Sequence, residues 1–206
     1  ELFSEYKNSN RWAIIIGISE YKHQNWNLRY ADRDAEEFYK LLQTPNGGGF
    51  QPEYICKLTN SDATTRKITK ALRSFLQKPA REDLVIVYLA CLGAPDLNRP
   101  DNLYLLTHDT DPSDVAGTGL PMREIDLALN ENLLAEKVVI IADTCHSAAI
   151  GSSMGRRSTS DETALVNRYL REVSKAKDGM ALLTSAEANE ASFEDRKWGG
   201  GHGVFT

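Results

Sequence analysis

The sequence predicts an α/β domain: a mostly parallel β-sheet with helices covering both faces. Three observations predict it. Short aliphatic runs alternate along the chain with segments whose apolar residues recur at helical spacing, the pattern of βαβ units. The aliphatic runs are continuous, as strands buried on both faces require. The length of 206 residues suits one domain whose core needs no disulfide or metal to hold it.

The elements follow in order. Trp12-Ala13-Ile14-Ile15-Ile16-Gly17-Ile18 is the first strand. A helix over residues 30–42 carries Ala31, Ala35, Phe38, Tyr39 and Leu42 on one face and is closed by Pro45 and a glycine triplet. Residues 54–58 form a second strand. A second helix over 64–76 presents Ile68, Leu72, Phe75 and Leu76 and stops before Pro79. Strands over 84–90 and 138–142 flank an Asp- and Pro-rich stretch, which holds a short strand over 102–106 and a helix over 122–134. A long polar connection over 147–178, with a helix over 163–173 inside it, leads to a last strand over 181–184. Such connections within compact domains are usually functional or mobile.

Composition narrows the function. The chain carries 24 basic and 29 acidic residues, a net charge of −5, which disfavours a nucleic-acid or anionic-membrane surface. No apolar run approaches the ~20 residues of a membrane span. An odd cysteine count of three fits a reducing, cytoplasmic setting and no disulfide framework. Cys56, Cys91 and Cys145 fall on separate strands without zinc-ligand spacing. Phosphate-loop spacing is missing too, which sets aside a nucleotide-binding domain. The chain opens without methionine and stops soon after a glycine cluster. The expectation is one domain over residues 1–206, a fragment whose C-terminal portion continues beyond 206.

Ligands of open parallel sheets bind outside the carboxyl ends of the strands. Two such ends carry thiols: Ala90-Cys91-Leu92-Gly93-Ala94-Pro95 and Asp143-Thr144-Cys145-His146-Ser147. A thiol in a small-residue turn at a strand end has exposure and free backbone N–H groups, the conditions of a nucleophile with its oxyanion hole.

The Asp143-Thr144-Cys145-His146-Ser147 segment after an aliphatic strand resembles the cysteine motif of the caspase-like peptidases, in their metacaspase and bacterial orthocaspase branch. Residues 12–21 resemble the family's opening strand and exit loop, and residues 28–35 the Asp-Ala start of its first helix. Residues 102–109 resemble its post-histidine segment, and residues 201–206 the start of a late helix. The resemblance implies a caspase-haemoglobinase-like three-layer sandwich and a cysteine endopeptidase acting through a Cys–His dyad. Cys145 is then the nucleophile, with backbone N–H groups of Gly93 and Cys145 as the oxyanion hole.

The family's histidine belongs about 50 residues upstream of the cysteine, in a His-Gly pair. That position holds Leu92, followed by Gly93. Leucine neither accepts nor delivers a proton. His146, His108, His23 and His202 are the other histidines, and none occupies the position of the base. Leu92 therefore marks either a natural pseudo-enzyme or an introduced change that silences an active protease, and this chain is expected to be inactive or strongly impaired.

By the same resemblance, metacaspases line the pocket beside the cysteine with acidic residues and cleave after Arg or Lys. The matching positions are Asp34 and Asp143, with Asp32 a weaker third. Paired carboxylates suit a guanidinium, which bonds them in bidentate fashion. The 147–178 connection is a candidate activation segment, with Arg156 and Arg157 as cleavage sites and Lys175 and Lys177 as second choices. No cofactor is implied. Asp109, Asp111, Ser113 and Asp114 bunch together but lack the glycine and closing glutamate of a calcium loop, so calcium dependence has no motif behind it. The expected partners are basic protein or peptide substrates and fused or associated sensor domains, with the chain a monomer. A competing reading is a binding module that holds basic peptides without cutting them.

Overall fold

The structure, a computed structural model, describes residues 9–96, 99–145, 160–184, 194–195 and 202–203, with the backbone alone at 144–145, 160–164, 194–195 and 202–203. A seven-stranded mixed sheet organises it. Its parallel part runs β2 (Ile55–Thr59), β1 (Arg11–Gly17), β3 (Leu84–Pro95), β6 (Lys137–Cys145), β7 (Met180–Thr184). The far end of β3 pairs antiparallel with β4 (Leu103–Leu105), and β4 with β5 (Leu120–Pro121). A separate two-stranded ribbon joins β8 (Glu194–Asp195) and β9 (His202–Gly203).

Helix α1 (Ala31–Gln43) covers one face, over Ala13, Ile15, Tyr88 and Ala90. The other face carries α2 (Thr65–Lys70), α4 (Met122–Asp126) and α5 (Ser160–Lys175), while α3 (Val115–Thr118) is a single turn. Helices thus flank a mostly parallel sheet on both sides, as the sequence predicts. Ile14 and Ile16 of β1 face one helical layer and Ala13 and Ile15 the other, which is why that strand is apolar without alternation. Close seating of α1 needs small residues. A Cβ on Gly17 would lie 2.3 Å from Ala35 Cβ and 2.4 Å from the Ala31 carbonyl oxygen.

The predicted helices over 64–76 and 122–134 each change pitch halfway. α2 continues as a wider π-type turn over Ala71–Phe75, and α4 over Leu127–Asn132. Both carry a strict four-residue apolar repeat: Ile68, Leu72, Leu76 and Ile125, Leu129, Leu133, all buried. Four residues overshoot a 3.6-residue turn by about 40°, so a regular helix would rotate the stripe off the sheet. The wider turn corrects the drift.

Two strands are longer than predicted. β3 continues past β1 because β4 takes over the vacated edge: Ile18 N–H donates to the Ala90 carbonyl (2.9 Å) and Leu106 N–H to the Leu92 carbonyl (2.8 Å). β6 extends alongside it to Cys145. At the opposite end of the sheet, buried Asp83 accepts from Asn10 N–H (2.7 Å), Trp12 Nε1–H (2.8 Å) and Ala80 N–H (2.9 Å), tying the starts of β1 and β3 together.

Candidate active site

The site assembles where β1, β3 and β6 end. Gly17, Ala90 and Asp143 stand in one row across the sheet, and two residues further along Leu92 and Cys145 are register partners. Adjacent strands lie about 4.8 Å apart, so positions 92 and 145 are as near as backbone pairing allows. The two positions singled out in sequence are thus brought together by parallel pairing.

Position 92 is tightly fixed. Its carbonyl accepts from Leu106, and its N–H donates to Tyr21 Oη (3.0 Å). Tyr21 comes from the loop leaving β1, is buried, packs edge-on against Trp26 and donates its own N–H to Asn27 Oδ1 (2.8 Å). The sequence reading gave Tyr21 no role. The available signal is that a phenol buried at a strand exit needs a partner for its hydroxyl. The Leu92 side chain is completely buried in the main apolar cluster.

Gly93 has a packing reason to be glycine. A Cβ there would meet Val166 Cγ2 of α5 at 2.7 Å. Cys91, the other strand-end thiol, is fully buried. Burial pushes its pKa up to about 12, and the Asp143 carboxylate adds to the effect. It is a core residue with negligible thiolate at neutral pH.

Asp34 and Asp143 are both buried at this end of the sheet. Asp34 belongs to the first turn of α1 and adjoins Ala35, the residue pressed onto Gly17. Asp143 is two strands from Gly17 in the same row. Asp32 is engaged elsewhere. Its Oδ1 accepts from Ser19 Oγ (2.6 Å) and Arg33 N–H (2.9 Å), and its Oδ2 from Asn60 Nδ2 (3.0 Å). Burial raises its pKa, but these hydrogen bonds outweigh it and hold the carboxyl below its ordinary value. Asn60, at φ 45°, also accepts the N–H groups of Ser19 and Glu20 through Oδ1, so this group latches the exits of β1 and β2 to α1.

His108 ties neighbouring loops: its Nδ1 lies 2.6 Å from the Glu20 carbonyl oxygen, its N–H donates to Ala63 and its carbonyl accepts from Lys22. His23 stacks edge-on against Trp26. His146 lies outside the described residues, and of His202 the backbone alone is described, in β9. The acidic stretch after β4 serves turns and caps. Asp109 accepts Thr65 N–H at the start of α2, Asp111 accepts Ser113, and Asp114 accepts Gly117 N–H. Among the described residues no cluster of three or more His, Cys, Asp or Glu is placed to hold a metal ion.

Arg156 and Arg157 lie outside the described residues. Lys175 ends α5, paired with Glu172 (3.1 Å), and Lys177 Nζ donates to the carbonyls of Leu133 (2.8 Å) and Ala135 (3.1 Å). Helix α5 occupies half of the 147–178 connection and buries Val166, Leu170 and Val173 against the sheet.

A mostly parallel sheet clad by helices, with Cys145 and position 92 paired at adjacent strand ends, fits a caspase-type α/β domain. The comparisons agree. The model of the family described as "Caspase domain" matches residues 10–206, and the chain belongs to that family, one of cysteine peptidases. The fold is similar to the crystal structure of a structural-genomics target from Geobacter sulfurreducens. The TM-score is 0.62 at 17% identity, over 95% of this chain and 78% of that one. Among curated proteins none matches the sequence. No helix among the described residues is long and apolar enough to cross a membrane.

Proposed function

We propose that this domain is a cysteine endopeptidase of the metacaspase and orthocaspase branch, built to cut after Arg or Lys, and that Leu92 silences it in this chain. The observation that carries the reading is the register pairing of Leu92 with Cys145, two residues beyond the row that holds Asp143. A histidine at 92 would take the thiol proton, leaving Cys145 to attack the scissile carbonyl. The resulting imidazolium would then protonate the leaving amine. Backbone N–H groups at 93 and 145 would hold the oxyanion. Asp34 and Asp143 would receive the substrate's guanidinium or ammonium group through charge-assisted hydrogen bonds. Asp32, with both oxygens engaged, contributes by holding α1 in place. With the dyad complete, the chain would cut itself at Arg156 or Arg157. Lys175 and Lys177 are poorer sites, because Lys175 ends α5 and the Lys177 ammonium is held by the Leu133 and Ala135 carbonyls. The working protein is a cytoplasmic monomer acting on basic segments of proteins, without a cofactor.

A second reading, a binding module for basic peptides, is favoured by one observation. Leu92 is accommodated without exposure or strain of its backbone, as a native core residue would be. Peptidase assays of Leu92→His on fluorogenic peptides ending in Arg, Lys or Asp separate the readings. Cleavage after Arg or Lys supports the silenced peptidase. Tight binding of basic peptides with no cleavage supports the binding module, and cleavage after Asp refutes the acidic pocket.

A further inference from the structure

Away from the site, β2 forms one margin of the sheet, and among the described residues no strand pairs with its outer edge. Between that margin and α2 lies a groove of about 380 Å³. Its floor is apolar: Cys56 and Leu58 from β2, Ala71 and Phe75 from α2. Its rim is basic, formed by Lys67, Lys70 and Lys78, and no carboxylate lines it. Lys67 pairs with exposed Asp62. Lys70 has no carboxylate partner among the described residues, and Lys78 Nζ sits 5.4 Å from the Phe75 ring centroid. Burial raises the Cys56 pKa, with the charges of Lys78 and Lys70 opposing it.

We infer that this groove binds an acidic, extended peptide segment of a partner protein, which adds to the edge of β2. Lys67 and Lys70 stand one turn apart on α2 and Lys78 follows just past its end at Leu76, so the row spans roughly 15 Å at ~1.5 Å per residue. An extended chain covers that distance in about five residues at ~3.3 Å each, with alternate side chains on one face. Every second residue can therefore place a carboxylate against the lysine row or an apolar group over Leu58 and Phe75. The backbone meanwhile completes the hydrogen bonds of the open strand. A single anionic head group would engage one lysine and leave the row and the strand edge unused. The site is separate from the Cys145 region and independent of whether the dyad works.

The test uses a fluorescein-labelled heptapeptide alternating Glu with Val or Leu, titrated into this chain by anisotropy. Its binding is expected to weaken several-fold from 50 to 300 mM salt. The double variant Lys70→Glu, Lys78→Glu, at exposed positions, is expected to weaken it at least about tenfold. Hydrogen exchange of the Ile55–Thr59 amides is expected to slow in the complex. Equal binding by a peptide with Lys in place of Glu would overturn the inference, as would an unaffected double variant or unprotected β2 amides. Displacement of the peptide by laurate, with no β2 protection, would reassign the groove to a lipid anion.

Discussion

The two ends of the central sheet both bury carboxylates, and they do so for different reasons. At the end where β1 and β3 begin, Asp83 accepts three hydrogen bonds from residues of its own neighbourhood, two backbone amides and the Trp12 indole. These three donors close a knot at the end of the sheet away from positions 92 and 145. At the end where β3 and β6 finish, Asp34 and Asp143 arrive from a helix and a strand more than a hundred residues apart in sequence. They share that end with the paired positions 92 and 145. One buried acid closes a local knot; the other two gather where a parallel sheet binds its ligands.

The strongest way to break this contrast is at position 92. Leu92→His is expected to raise cleavage after Arg or Lys at least ~10²-fold, the usual worth of a positioned general base. Cys145→Ala in the same background is expected to abolish it. Introducing imidazole into a fully buried apolar position should lower stability by about 1–3 kcal/mol, so activity is to be measured well below the unfolding midpoint. No gain in a folded Leu92→His chain would leave the carboxyl end of the sheet without its assigned chemistry.

The next largest effect concerns the acids. In the Leu92→His background, Asp34→Asn or Asp143→Asn is expected to cut kcat/KM for Arg substrates ~10²-fold. That is the loss when one partner of a desolvated charge contact is removed. Relative preference for uncharged residues should rise. At the other end, Asp83→Ala should leave kcat/KM unchanged while costing about 3 kcal/mol, or roughly 6–12 °C in Tm. Asp83→Asn should cost less, because the amide oxygen can still accept from Trp12 and Ala80 while the NH2 faces only the Asn10 N–H. A stability loss from the Asp34 variant as large as that from Asp83→Ala would erase the distinction.

Much of this was legible in the sequence, for identifiable reasons. Continuous aliphatic runs such as Ile14-Ile15-Ile16 admit few readings other than a strand buried on both faces, and βαβ alternation fixes a parallel sheet. The positions of Cys145 and Leu92 followed from motif order, and their pairing is what that order produces in space. What escaped was whatever depends on contacts distant in the chain. The overrun of β3 requires β4 to replace β1, and Tyr21 matters because Leu92 lies 71 residues away. The pitch change in α2 and α4 was visible in principle, in a four-residue stripe too strict for a regular helix. Asp32 and Asp34 look alike in sequence. The neighbours Ser19 and Asn60, supplied by the fold, tell them apart.

That last distinction gives the smallest effect and the finest division of the site end. Asp32 has a lowered pKa in the folded chain, because the hydrogen bonds from Ser19 and Asn60 outweigh its burial. A carboxyl with a depressed folded pKa stabilises fully above its unfolded value, near 3.9, and the contribution is lost as pH falls through the lower folded value. Ser19→Ala removes one of those bonds. At pH 7 it should cost no more than about 1 kcal/mol, since the carboxylate is only half-buried and water screens it. The gap between parent and variant should close once Asp32 is protonated in both. Urea unfolding of the two chains from pH 7 to 2.5 measures this directly. A gap that persists unchanged at the acid end would mean that Ser19 stabilises through its own packing, and that Asp32 is no latch. A gap that closes, with substrate preference untouched in the Leu92→His background, would separate the acid that holds α1 in place from the two assigned to the substrate.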